Sequence, residues 1–174
     1  MSEHIYEFKV KDFNTLVKMW LAGNGTFYFK NLETGNELTI VMKTYINERN
    51  KNQPTFIEAC LLHRPITSAV DRKIQKRKTI SIAKVYLKLG TIHVLEDQYI
   101  KSYHEKLVKS FKYVHNCIVT GRGLADEISV WYNGHCCRCK KELSVTESIE
   151  QGFGDECKEY FKNSTPSVQF KTGL

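Results

Sequence analysis

The chain has 174 residues, of which 41% are hydrophobic and 11% aromatic, with three prolines and no low-complexity block. That composition excludes a disordered or collagen-like polymer and suits one domain, or a main domain with a small metal-held appendage. No run reaches the roughly 18 apolar residues of a membrane-spanning helix, and the first residues lack the charged start and apolar middle of a secretory signal. A cytoplasmic protein is therefore expected, its cysteines reduced. The net charge of +7 points to an anionic partner, either nucleic acid or an acidic protein face.

In chain order, Phe13, Leu16, Val17, Trp20 and Leu21 recur at helical spacing behind Asp12 as N-cap and before Gly23, which predicts an amphipathic helix over 12–22. Asn24-Gly25 then turns the chain into two alternating runs, TFYFKN and ELTIVMKT, joined by a Thr-Gly turn and read as a β-hairpin. Further strands are expected over 55–62 and as a pair within 79–95, with Gly90 as a bend. Residues 103–119 carry a second apolar stripe from Tyr103 to Ile118, with Ser102 as its cap and the Gly121–Gly123 segment as its stop. A short strand in EISVWY leads into the cysteines, and the last dozen residues show little periodicity.

Four of the six cysteines fall within residues 134–157. Cys136 and Cys139 have the spacing of a metal knuckle, in which a tight turn aims two thiolates into one tetrahedron and its amides bond to the sulfurs. Cys157 supplies a third thiolate near the start of a final helix, behind Gly152 and Gly154, where the positive helix end favours it. Ser144 and Glu147 have capping-box spacing for a short helix between them. A closed tetrahedral site needs a fourth ligand, for which His135 is favoured over Cys137, with His115 and Cys117 as more distant candidates. Zn2+ in a structural role is the expected occupant.

The segment SVWYNGHCCRCKKELSVTESIEQGFGDEC resembles the C-terminal signature of a family of uncharacterised phage and prophage proteins. Val130, Trp131, Gly134, Cys136, Arg138, Cys139, Lys141, Leu143, Glu147, Ser148, Ile149, Gly152, Phe153, Gly154 and Cys157 fill the pattern. LAGNGTFYFKNLETGNELTI and VYLKLGTI are similar to upstream segments of the same family, so the resemblance spans most of 13–157. Cys137 departs from it, standing where the family carries a small or basic residue. The run RPITSAVDRKIQKRKT departs as well, replacing a shorter loop. The resemblance implies a zinc site and a phage-like origin within a bacterial host, and it implies no activity.

The run 71–78 groups Arg72, Lys73, Lys76, Arg77 and Lys78 against Asp71 and is read as a phosphate clamp or an acidic-partner contact. Arg138, Lys140 and Lys141 on the knuckle add to the same surface, Phe27, Tyr28 and Phe29 offer a stacking face, and Trp131 is expected to shield the thiolates from water. No HExxH, no HxE with PCxxC and no GxxxxGK[ST] occurs, which removes the common metalloprotease, deaminase and nucleotide-hydrolase machinery. Glu142 and His135 are only nominal bases for a zinc hydrolase or nuclease. The sequence thus predicts an α+β protein: an antiparallel sheet with covering helices over 1–130, a treble-clef-like zinc knuckle over 131–162, and a flexible tail over 163–174. Its expected role is non-catalytic binding of nucleic acid or of a nucleic-acid-processing host complex. The alternative is a phage-encoded inhibitor of a host defence or transcription complex acting by protein contact.

Overall fold

The computed structural model describes residues 7–46, 54–62, 79–86, 91–94 and 98–163. Seven strands form one sheet: β1 (Phe8–Lys9), β2 (Thr26–Asn31), β3 (Glu37–Ile46), β4 (Pro54–Leu62), β5 (Thr79–Tyr86), β6 (Thr91–Val94) and β7 (Ile128–Tyr132). Every neighbouring pair is antiparallel, and the order across the sheet is β1-β7-β2-β3-β4-β5-β6. From β2 to β6 the chain is a meander of sequence neighbours. β7, late in the sequence, inserts between β1 and β2, placing the start of the cysteine segment beside the start of the chain. The described helices are α1 (Phe13–Leu21), α2 (Gln98–Thr120), α3 (Thr146–Gln151) and α4 (Asp155–Asn163).

The expected α+β class, antiparallel sheet and covering helices are all present. Helix α1 begins as its sequence dictates: Asp12 is extended and its carboxylate accepts the Thr15 N–H at 2.8 Å, satisfying one of the orphan donors of the first turn. The same bond, with the Thr15 hydroxyl adding to it, holds the Asp12 carboxyl below its ordinary value. Helix α2 starts earlier than its apolar stripe suggests. Ser102 lies inside the helix instead of capping it.

Alternation along the strands sends Phe27, Phe29, Leu38, Ile40, Met42, Ile57 and Ala59 into the core with Leu16, Met19 and Trp20 of α1 and Phe111, Val114 and Ile118 of α2. Trp20 is its centre, with ring centroids 5.5 Å from Phe27, 6.1 Å from Phe29 and 6.1 Å from Phe111. Its indole N–H reaches His115 Nδ1 at 3.2 Å across the helix pair, so a buried polar donor is matched by a buried acceptor. Tyr28 is buried as well, but on the opposite face, against Trp131 at 5.7 Å. None of the three aromatics of β2 is exposed for base stacking, because two are core and the third is covered.

His115 is 1% exposed, and burial pushes its pKa down from 6.5 to about 4. The unfolded chain takes up this proton first, so the neutral His115–Trp20 pair contributes stability that is complete above the unfolded value and is lost as pH falls through the folded one. Between pH 6.5 and about 4 the fold should lose about 3 kcal/mol from this group. Urea unfolding at stepped pH measures it, and His115→Phe should flatten that part of the profile; an unchanged slope in the variant would place the titration elsewhere.

Candidate metal centre

Past Tyr132 the backbone closes into a tight ribbon. The Cys136 N–H donates to Lys141 O at 2.8 Å, the Lys140 N–H to Cys136 O at 2.9 Å and the Leu143 N–H to Gly134 O at 2.9 Å, while His135 bridges Glu142 in antiparallel fashion. Helix α3 follows and ends on Gly152, whose φ of 77° is the left-handed cap that turns the chain back. Helix α4 then opens at Asp155, which puts Cys157 in its first turn.

These three pieces bring the sulfurs of Cys136, Cys139 and Cys157 within 4.8 Å of one another. Metal–sulfur bonds of about 2.3 Å in a tetrahedron separate the sulfurs by about 3.8 Å, so a small contraction would close the cluster on an ion. Cys136 and Cys157 are buried and Cys139 is exposed.

The electrostatics fit a cation. Burial opposes ionisation of Cys136, yet the backbone N–H groups of Cys139, Gly154 and Arg138 aimed at its sulfur outweigh burial and hold the thiol below its ordinary value. Burial and the adjoining thiols of Cys139 and Cys136 push Cys157 up to about 11, against the pull of Arg138, whose Nη1 lies 3.8 Å from that sulfur. A divalent cation among the three sulfurs would offset the repulsion between their thiolates. The residues present could therefore hold a metal ion through three thiolates.

Neither expected fourth ligand joins them. Cys137 is fully buried, its sulfur is 3.2 Å from where a Cβ on Gly25 would stand, and burial raises its pKa well above the ordinary value. It is a core residue beside Gly25, just before β2. The His135 ring is tied back to Asn133, with Nδ1 2.9 Å from that carbonyl. The more distant candidates sit in the helix core: His115 is occupied by Trp20, and Cys117 is buried on α2.

Lys140 and Lys141 are exposed and Arg138 is half-buried. The run Arg72, Lys73, Lys76, Arg77 and Lys78 lies outside the described residues. Trp131 does not shield the thiols: the pleat of β7 turns it to the far face beside Tyr28, and Tyr132 takes the near one. The Tyr132 hydroxyl donates to the Ile149 carbonyl, and burial, then the negative potential of Cys137 and Cys136, raises its pKa. The capping box also fails. Val145 is the N-cap of α3 with no side-chain bond, and the Glu147 carboxylate instead receives Lys158 of α4 at 2.7 Å and Gln151 at 3.2 Å.

Sequence reasoning missed Asn24. Its N–H donates to Cys137 O at 2.9 Å, its amide nitrogen to Arg138 O at 2.7 Å, and its side-chain oxygen accepts the Thr44 N–H at 3.0 Å. Its place next to Gly25 marked it as a turn residue, and local sequence gave no sign of a partner so far along the chain.

Residues 129–162 match a family of unknown function (DUF6011). The match starts in β7 and ends in α4, so it covers the ribbon, both short helices and all three clustered cysteines. No curated protein and no solved structure matches the chain.

Two glycines in this segment should lose unequal stability on gaining a methyl group. On Gly152, with φ of +77°, a Cβ would lie 2.7 Å from Met19, so Gly152→Ala combines left-handed strain with a core clash and should cost about 2 kcal/mol or more. On Gly154 the nearest atom would be Leu143 Cδ2 at 3.7 Å, and Gly154→Ala should cost no more than about 1 kcal/mol, the loss of a tolerated N-cap glycine. Chemical denaturation of both variants checks the contrast, and equal losses would contradict it.

Proposed function

We propose that the protein is a non-catalytic nucleic-acid-binding protein whose knuckle is set by one structural Zn2+ on Cys136, Cys139 and Cys157. Thiolates in this spacing suit zinc by their softness and by the tetrahedral geometry they favour. The described groups directed at the sulfurs are backbone amides and a guanidinium, which hold shape and balance charge. They do not form the acid–base pair that hydrolysis needs.

The observation that carries the binding reading is Lys140. It is the one non-glycine residue among those described with positive φ, at 66°, directly after a clustered cysteine and at an exposed tip. A left-handed lysine costs about 1–2 kcal/mol relative to an unstrained conformation, and glycine would avoid that strain. A cation kept at such a position, with Lys141 beside it and a chain charge of +7, suits contact with phosphate. A metal-rigid turn would lower the entropy lost when these side chains engage a polyanion.

Lys140→Gly separates the two roles. Relief of the strain, less the roughly 0.5–1 kcal/mol entropic cost of glycine, should stabilise the fold by about 0.5–1 kcal/mol. The same change should weaken binding to single- and double-stranded DNA and RNA with little dependence on sequence and reduce the salt slope by about one. Titrations at low and physiological salt read this directly. Absence of binding by the wild-type zinc form to any of these polymers would redirect the reading to a protein partner, sought by pull-down after nuclease treatment.

Zinc is checked separately. Protein purified without added metal should contain about one zinc per chain, and Cys139→Ser should lose it and raise amide exchange across 134–161 while β2 to β5 stay protected. Unchanged exchange in that segment would remove the structural role.

A further inference from the structure

Cys136 and Cys139 are separated by two residues, and so are Gly154 and Cys157. Gly154 therefore stands where a second pair of cysteines would place its first member. Its backbone N–H points at the Cys136 sulfur, so it adjoins the cluster. A Cβ built on it meets only Leu143 Cδ2, at 3.7 Å, and its φ lies outside the left-handed range. Geometry and space would both admit a side chain there, yet the position offers none. On the other side of the cluster, the Cys139 sulfur belongs to an exposed residue.

The donors that sequence favoured for the fourth position are not in the cluster: His135 binds the Asn133 carbonyl through Nδ1, and Cys137 is buried in the core. Among the described residues the clustered ligands number three. Three thiolates leave a bound dication with net negative charge, and the Arg138 guanidinium, 3.8 Å from the Cys157 sulfur, offsets it. A neutral fourth donor leaves that balance unchanged, and a thiolate adds a single negative charge.

We infer that the metal centre has an exchangeable fourth position beside Gly154, open to small donors from solution and best matched to a low-molecular-weight thiol. This rests on the metal-binding reading above and is independent of nucleic-acid binding. The thiol binds as thiolate: its S–H bond breaks, the proton passes to solvent, a metal–sulfur bond forms and a solvent ligand leaves, with no change of oxidation state. A centre of this kind differs from a closed four-cysteine knuckle, whose metal is sealed from solution ligands.

The test uses the full chain loaded with Co2+, whose ligand-field absorption reports its donor set, titrated with 2-mercaptoethanol and with imidazole. The bands should shift saturably with either probe while cobalt stays bound on desalting, and the thiol should bring the spectrum to that of four sulfur donors. Gly154→Cys should show the four-sulfur spectrum from the outset and ignore added thiol. A wild-type spectrum indifferent to both probes would overturn the inference, since the chain itself would then fill the position. A Gly154→Cys protein that binds cobalt but still responds like wild type would overturn the assignment to position 154. Failure of the wild-type chain to bind cobalt at all would instead sink the metal-binding reading. If the variant does not fold, the wild-type titration decides alone.

Discussion

Asn24 ties the knuckle turn to the sheet by three hydrogen bonds. Its main chain and amide hold the carbonyls of Cys137 and Arg138, and its side-chain oxygen holds the Thr44 N–H of β3. The backbone between the two knuckle cysteines is thereby fixed to the turn that joins α1 to β2. From the other side, the Cys137 N–H donates to Gly152 O at 3.0 Å, which draws the end of α3 against the same strand of chain. A metal-binding loop must place its sulfurs before the ion arrives or lose conformational entropy when it does. Bonds to both flanks remove much of that freedom in advance.

Cys137 completes the attachment. Adjacent residues in a knuckle point in different directions, so when Cys136 turns toward the cluster its neighbour turns into the core between Gly25 and Tyr132. A small, weakly polar thiol suits that space. The sequence could not separate the two, since cysteine is at once a frequent ligand and one of the most buried residue types. Only the backbone path decides which sulfur meets the ion. The pleat decides the neighbouring question in the same way: Trp131 and Tyr132 are consecutive on β7, and strand alternation gives the cluster side to Tyr132 whatever the apparent suitability of the larger ring.

Local patterns made the elements legible. The apolar spacing of α1 and α2, the alternation of β2 and β3, the Asp12 cap and the three clustered cysteines could all be read from residue order, because each depends on near neighbours. What depended on distant contacts could not be read. The insertion of β7 between β1 and β2 has no local signature, and it is what makes the cysteine segment continuous with the main sheet. The Ser144–Glu147 box failed for a related reason. Glu147 has a better partner in Lys158, supplied by the next helix and brought near by the turn at Gly152. An ion pair this exposed contributes little energy, but it is enough to compete with a cap of similar size.

Lys140 and Gly154 show how the centre divides its work. Both flank a clustered cysteine, one just after Cys139 and the other three before Cys157. At Lys140 a left-handed backbone, which glycine would take without strain, carries a long cation. At Gly154 an ordinary backbone with room for a side chain carries none. At Lys140 fold stability alone would favour glycine, whereas at Gly154 glycine is a tolerated N-cap of α4. A departure from local preference such as that of Lys140 is where function is sought. The two positions place an exposed lysine after Cys139 and, before Cys157, a backbone with room for a side chain.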